Sequence, residues 1–266
     1  MAYRLDDDLE FLSQCTNEEL NVLVETLTKD KDGEIRVSES ILGNARYEMY
    51  KPEHLKYWDL IAEEIQLFGS NSLVSVFRGA LDFKLEKQGV LYNEILIDVC
   101  DKLKVNYNKK SDVKTIEMNL LMKMLEDAIK EMNPEQLKEI VHDLDIKTTS
   151  FTSEAVLAAL QLSIKQSGFF AYKMAVIIAN AIAKALMGKG LTFATNALLT
   201  RSISIFAGPI GWLITGVWTA IDLAGPAYRV TIPIAVQVAC LRIIASNRAF
   251  ENTLKEEEEE EQVNAN

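Results

Sequence analysis

"TNEELNVLVETL", residues 16–27, is the stretch on which the fold class turns. Thr16 followed three positions later by Glu19 spells a capping box, in which each side chain accepts from the other residue's backbone amide. Leu20, Leu23, Val24 and Leu27 then recur at the spacing that lines up one face of a helix. The same grammar returns along the chain. "YWDLIAEEIQLFG" (57–69) sets Trp58, Ile61, Ile65 and Phe68 on a stripe and offers Gly69 as a stop. "YNEILIDVCDKLKV" (92–105) opposes Tyr92, Ile95, Leu96, Val99 and Leu103 to an acidic face of Glu94, Asp98 and Asp101. "NPEQLKEIVHDL" (133–144) has Asn133 as N-cap, Pro134 at the first helical position and Gln136 closing the box. Its likeness to residues 16–27 is the convergence of two well-capped amphipathic helices, since nothing around them matches. "YRVTI" (228–232) is the one short candidate strand. The expected class is all-α, a helical bundle with a Gly-rich hydrophobic helical hairpin region near the C-terminus.

A chain of 266 residues, 48% hydrophobic and 25% charged, has the composition of a folded globular protein with one or two domains. The net charge of −11 is unevenly spread: −11 over residues 1–150, +6 over 151–250 and −6 over 251–266. This divides the chain into four expected parts. They are a small helical interaction module (1–50), an acidic helical domain (51–150), a hydrophobic and basic helical domain (151–250), and a disordered acidic tail (251–266) built around the glutamates 256–261. The first part is expected to dock to an unknown protein partner rather than to complete the main core. "MAYRLDDDLE" lacks the basic and apolar runs of a secretory signal, so the expected location is the cytoplasm, including the inner face of the membrane. Cys15, Cys100 and Cys240 are widely spaced and read as reduced structural thiols.

Signals for catalysis are thin. GxSxG, HExxH and a phosphate-binding glycine loop are all missing, and "MGKGL" (187–191) lacks the earlier glycine and the hydroxyl residue of a P-loop. Glu139 and His142 have the E-x-x-H spacing of carboxylate-bridged metal bundles, but no second such pair exists, so His142 reads as a surface histidine. Glu94, Asp98 and Asp101 read as a solvated face, and Asp6–Asp8 as acidic residues at a helix N-terminus. Neither catalytic residues nor a metal or cofactor are expected, and the sparse basic residues without stacking aromatics argue against nucleic acid.

The hydrophobic region poses the sharper question. In "FFAYKMAVIIANAIAKALM" (169–187), Lys173, Asn180 and Lys184 fall on one narrow polar stripe. In "AGPIGWLITGVWTAIDLAGPAYR" (207–229), Gly208-Pro209 is expected to break the helix. The piece from there to Ala224 is about 22 Å long at 1.5 Å per residue, against about 30 Å of bilayer hydrocarbon. Pro233 is expected at a helix start. Two readings stay open for residues 169–250. One is a closed core with basic residues on its solvent side. The other is a bilayer-associated hairpin whose candidate surface comprises Lys173, Lys184, Lys189, Arg201, Trp212, Trp218 and Arg229, attracted to anionic headgroups.

Taken in order, "YWDLIAEEIQLFGSNS", "YNEILIDVCDKLKV", "AGPIGW" and "GPAYRVTIPIAVQVACLR" resemble the bacterial YaaW family over nearly the whole chain. The opening "YRLDDDLEFLSQCTNEELNVLVETLT" resembles the short N-terminal module of that family. Part of the family is similar to ubiquinol-cytochrome c chaperones, and here that likeness would rest on residues 50–150. The resemblance implies a bacterial, helical, non-enzymatic protein acting as an interaction or chaperone-like factor; it brings no catalytic residue with it. The competing class is a membrane-associating or membrane-perturbing effector.

Overall fold

The computed structural model describes residues 4–29, 34–35, 41–77, 90–187, 204–210 and 228–264. The helices are α1 (Asn17–Thr28), α2 (Ala45–Tyr50), α3 (Trp58–Phe77), α4 (Tyr92–Lys102), α5 (Val113–Lys130), α6 (Pro134–Asp143), α7 (Ser153–Gln166), α8 (Gly168–Met187), a helical stretch at 204–210 (α9), and α10 (Tyr228–Asn264). Two 3₁₀ turns, η1 (Glu10–Gln14) and η2 (His54–Tyr57), precede α1 and α3. The protein is all-α. Among the described residues the β contribution is a single bridge between Lys29 and Ile35.

Local chemistry explains most starts. Both capping boxes form: the Thr16 and Glu19 side chains each accept from the other's backbone amide, as do Asn133 and Gln136. Asp112 and Thr152 cap α5 and α7 through their side-chain oxygens. The ends of α4 and α6 rely on backbone alone. Lys104 and Asp145 adopt positive φ (55° and 52°), so the amides of Val105 and Ile146 turn back to the carbonyls of Cys100 and Val141, both at 2.9 Å. This is the Schellman arrangement.

The residues Tyr228–Arg248 of α10 form the centre of the bundle, in contact with α8, α5, α1, α3, α4 and η1. Beside it, Met174–Ala183 of α8 is buried on every side, as a helix apolar all round must be.

Six expectations are corrected. Residues 4–28 of the expected 1–50 module do not stand apart from the main core. Leu9, Leu12, Leu20, Leu23 and Leu27 are fully buried in it, because α1 and η1 lie directly on α10 and α3. Gly69 does not end a helix: α3 runs on to Phe77, and a Cβ at Gly69 would lie 2.3 Å from Ile95 Cγ1 and 2.8 Å from Val90 Cγ2. The glycine is there so that α4 can approach. "YRVTI" is helical, and Pro233 lies within α10 rather than at its start. The loss of one backbone bond is offset by burying the apolar residues on both sides of the proline. Gly208-Pro209 lies inside the helical stretch 204–210. The acidic tail, expected to be disordered, continues α10 as helix to Asn264, and glutamate is a good helix former.

Candidate functional site

The segment "YRVTIPIAVQVACLRIIASNR", residues 228–248, is long and apolar enough to cross a membrane, yet 83% of its most apolar window is buried inside the protein. Its few polar side chains show what surrounds it. Gln237 donates from Nε2 to the Thr26 hydroxyl (3.1 Å), which donates in turn to the Val22 carbonyl (2.8 Å). Arg248 grips Glu19 with both Nη atoms (2.8 and 2.9 Å), using the carboxylate that also closes the capping box of α1. Tyr228 donates to Asp98 at 2.9 Å.

Arg242 makes the most heavily buried of these connections. Its Nε and Nη2 donate to the two oxygens of Glu117 (2.6 and 3.1 Å), and Nη2 also reaches the Asp8 carbonyl (2.6 Å). The Tyr92 hydroxyl donates to Glu117 Oε1 at 2.9 Å, and the Phe11 ring lies 4.3 Å from the guanidinium carbon. Arg242, Glu117 and Tyr92 are 7%, 2% and 0% exposed, so the charges are compensated within the protein rather than by water. Burial pushes the Glu117 carboxyl up, and the Arg242 guanidinium and Tyr92 hydroxyl pull it back down. Asp6, expected at a helix N-terminus, instead caps α4 from a distance: its Oδ2 accepts from the Tyr92 amide (2.7 Å) and from Gln66 Nε2 (3.3 Å).

Over this pair lies an open cavity of about 340 Å³, between the start of α5, the start of α8 and α10. Glu117 and Arg242 form its deep side. Met118, Ala171 and Ile243 supply apolar wall, and the exposed Lys114, Gly168 and Ser246 its outer edge, with half-buried Asn247. Nearby, Phe169 is 53% exposed and stacks on Tyr172.

Among the described residues, the titratable groups that stand out are not gathered at one place. Burial pushes the thiols of Cys15 and Cys100 up to about 12 and that of Cys240 up as well, so none is a thiolate at neutral pH. All three are free and buried. Among the described residues, no group of three or more His, Cys, Asp or Glu is placed to hold a metal ion. The His142 side chain is 86% exposed. Asp101 accepts from Tyr107 and Lys109, so the acidic face of α4 is used partly for tethering.

Of the basic and aromatic surface expected from sequence, Lys189, Arg201, Trp212 and Trp218 lie outside the described residues. Lys173 is half-buried with Nζ 4.9 Å from the Phe169 ring centre, Lys184 is exposed, and Arg229 is half-buried on α10. Asn180, expected on the same polar stripe, is buried and donates to the Val176 carbonyl at 3.0 Å. The stripe is therefore broken, because an asparagine can satisfy itself on its own helix whereas a lysine cannot. The residues that line the cavity were not anticipated. The available signals were Glu117, set among the apolar positions of α5, and Arg242, a lone charge in the apolar run "VACLRIIA".

Two family models match the chain. One, described as ubiquinol-cytochrome C chaperone, covers residues 53–236, and the other, a domain of unknown function (DUF3944), covers residues 3–37. A UPF0174 protein of Helicobacter pylori strain J99 is 50% identical over 244 residues, 91% of this chain and 93% of the relative. A UPF0174 protein of Helicobacter pylori strain 26695 is 37% identical, covering 78% of this chain and 98% of the relative. The UPF0174 protein YaaW of Escherichia coli K12 is 31% identical, covering 92% and 97%. No solved structure matches.

Proposed function

This chain belongs to the UPF0174 family and, through residues 53–236, to the ubiquinol-cytochrome C chaperone family, and on that premise we propose that it is a non-catalytic, chaperone-like protein that holds a short stretch of another polypeptide between α5, α8 and α10. The observation that carries this reading is the open cavity of about 340 Å³, with its apolar wall of Met118, Ala171 and Ile243. Concave sites with apolar walls and a few polar groups are where proteins hold ligands. The exposed Phe169 beside it extends the apolar surface.

A second reading, a protein that acts on a bilayer through residues 169–250, draws on the hydropathy of Tyr228–Arg248. It is the weaker of the two, because that helix already spends its apolar surface on its neighbours in the bundle.

The test is suppression of aggregation. When a chemically unfolded helical protein is diluted into buffer, the wild-type chain is expected to lower the light scattering at comparable molar amounts. Ala171→Trp, which fills the cavity, is expected to lose the effect while keeping its melting curve. Scattering that wild type leaves untouched in molar excess, or that Ala171→Trp suppresses equally well, overturns the proposal. Flotation of wild type with anionic vesicles at low salt, abolished by Lys173→Glu with Lys184→Glu, would instead establish the bilayer reading.

A further inference from the structure

Resting on that reading, we propose that the ligand of the cavity is the free carboxy terminus of a polypeptide whose last residue is aliphatic. Arg242 lines the cavity, and two of its three guanidinium nitrogens are committed. Nε and Nη2 are engaged by Glu117 and the Asp8 carbonyl, whereas Nη1 donates to no atom among the described residues. An arginine has five N–H donors, so two remain for a ligand oxygen. Glu117 and Arg242 offset each other, so the pair offers an incoming anion free N–H donors rather than net charge.

Two more features are of the same sign. Lys114, exposed at the outer edge, forms no ion pair among the described residues. The twenty-residue α8 begins at Gly168, also on the outer edge, with its first turn capped by Ser167. The positive end of its dipole therefore lies at the cavity's edge. Asp8, whose charge also acts on Arg242, is not among the residues lining the cavity.

The order of these groups selects the ligand. The buried donor, Arg242, is deep, and the apolar wall stands between it and the exit past Ser246. A free fatty acid with its carboxylate on Arg242 would leave most of its tail outside so small a cavity, in contact with water. A chain end enters carboxylate first, lays its last aliphatic side chain on Met118, Ala171 and Ile243, and leaves along the edge. About 340 Å³ is near the lower end for ligand pockets and suits a terminal residue or two rather than a helix.

The experiment is fluorescence anisotropy on the full chain with N-terminally labelled peptides ending in leucine, as free acid and as carboxamide. The acid is expected to bind at least about tenfold more tightly than the amide, which corresponds to about 1.4 kcal/mol. Lys114→Gln is expected to weaken the acid several-fold, leave the amide unchanged and reduce the salt dependence. Because Lys114 is exposed, an unchanged melting curve serves as its folding control. Acid and amide binding alike would remove the carboxylate assignment and leave the polypeptide-holding reading standing. Binding of neither, with aggregation still suppressed by wild type, would do the same. Hexanoate displacing the acid peptide as effectively as unlabelled peptide would overturn the assignment to a polypeptide end, since a short fatty acid would then suffice.

Discussion

His54, the first residue of η2, is 4% exposed against α1, accepting from the Tyr57 hydroxyl at Nδ1 and donating from Nε2 to Asn21 Oδ1 at 3.1 Å. That pattern uses the neutral ring, and burial lowers its pKa from the ordinary 6.5, with Glu25 partly opposing the shift. A base whose folded pKa is depressed contributes stability that is complete above its unfolded value. The contribution is lost as pH falls from about 6.5 through the folded value, because there the unfolded chain binds the proton first. His54→Gln is therefore expected to flatten the dependence of the urea midpoint on pH below 6.5, at some cost near neutrality. An acid limb identical to wild type would contradict it. At this scale the sequence was half legible. Glu117 falls four residues after Val113 and beside Ile116, on the apolar stripe of α5, which marks a buried carboxylate. Its partner is 125 positions away, and no local pattern carries that distance.

Helix starts and helix ends differ in how openly they are written. Starts are made by side chains, so Thr16 with Glu19 and Asn133 with Gln136 could be read directly. The ends of α4 and α6 are made by backbone at Lys104 and Asp145, without the glycine that usually announces them. The glycine that does look like a stop, Gly69, is required by the approach of α4, a tertiary fact. Opposite outcomes follow from two glycine exchanges. Gly69→Ala gains up to about 1 kcal/mol of helix propensity, but it drives a Cβ into buried Ile95, and overpacking of about 1–3 kcal/mol makes the net effect destabilising. Lys104→Gly relieves a left-handed cost of about 1–2 kcal/mol against about 0.4–1 kcal/mol of added unfolded-state entropy, a net gain of about 0.5 kcal/mol. Urea denaturation of both variants checks the signs; a stabilised Gly69→Ala would mean that α3 and α4 do not meet as described.

Across the whole molecule, the acidic front and basic back of the chain looked like two regions with outside partners. The structure shows them partnering each other: Glu117 with Arg242, Glu19 with Arg248, Asp98 with Tyr228. Composition recorded the complementarity and could not say that both halves belong to one core. Removal of residues 1–15 takes away the buried Leu9 and Leu12, each worth about 1.5–3 kcal/mol. It also takes the Asp8 carbonyl from Arg242 and the Asp6 cap from α4. The truncated chain is expected to melt at much lower temperature and with less cooperativity by circular dichroism. An unchanged melt would restore the picture of an independent front module. The same closure also governs when the protein can be finished. Arg242 meets Asp8 across 234 positions and Gln237 meets Thr26 across 211. At about 5–20 residues per second, a ribosome takes roughly 10–50 s to make the second member of each pair after the first. Through that interval the nascent front half carries leucines and carboxylates whose permanent neighbours do not yet exist, so its folding is completed only once α10 has been made.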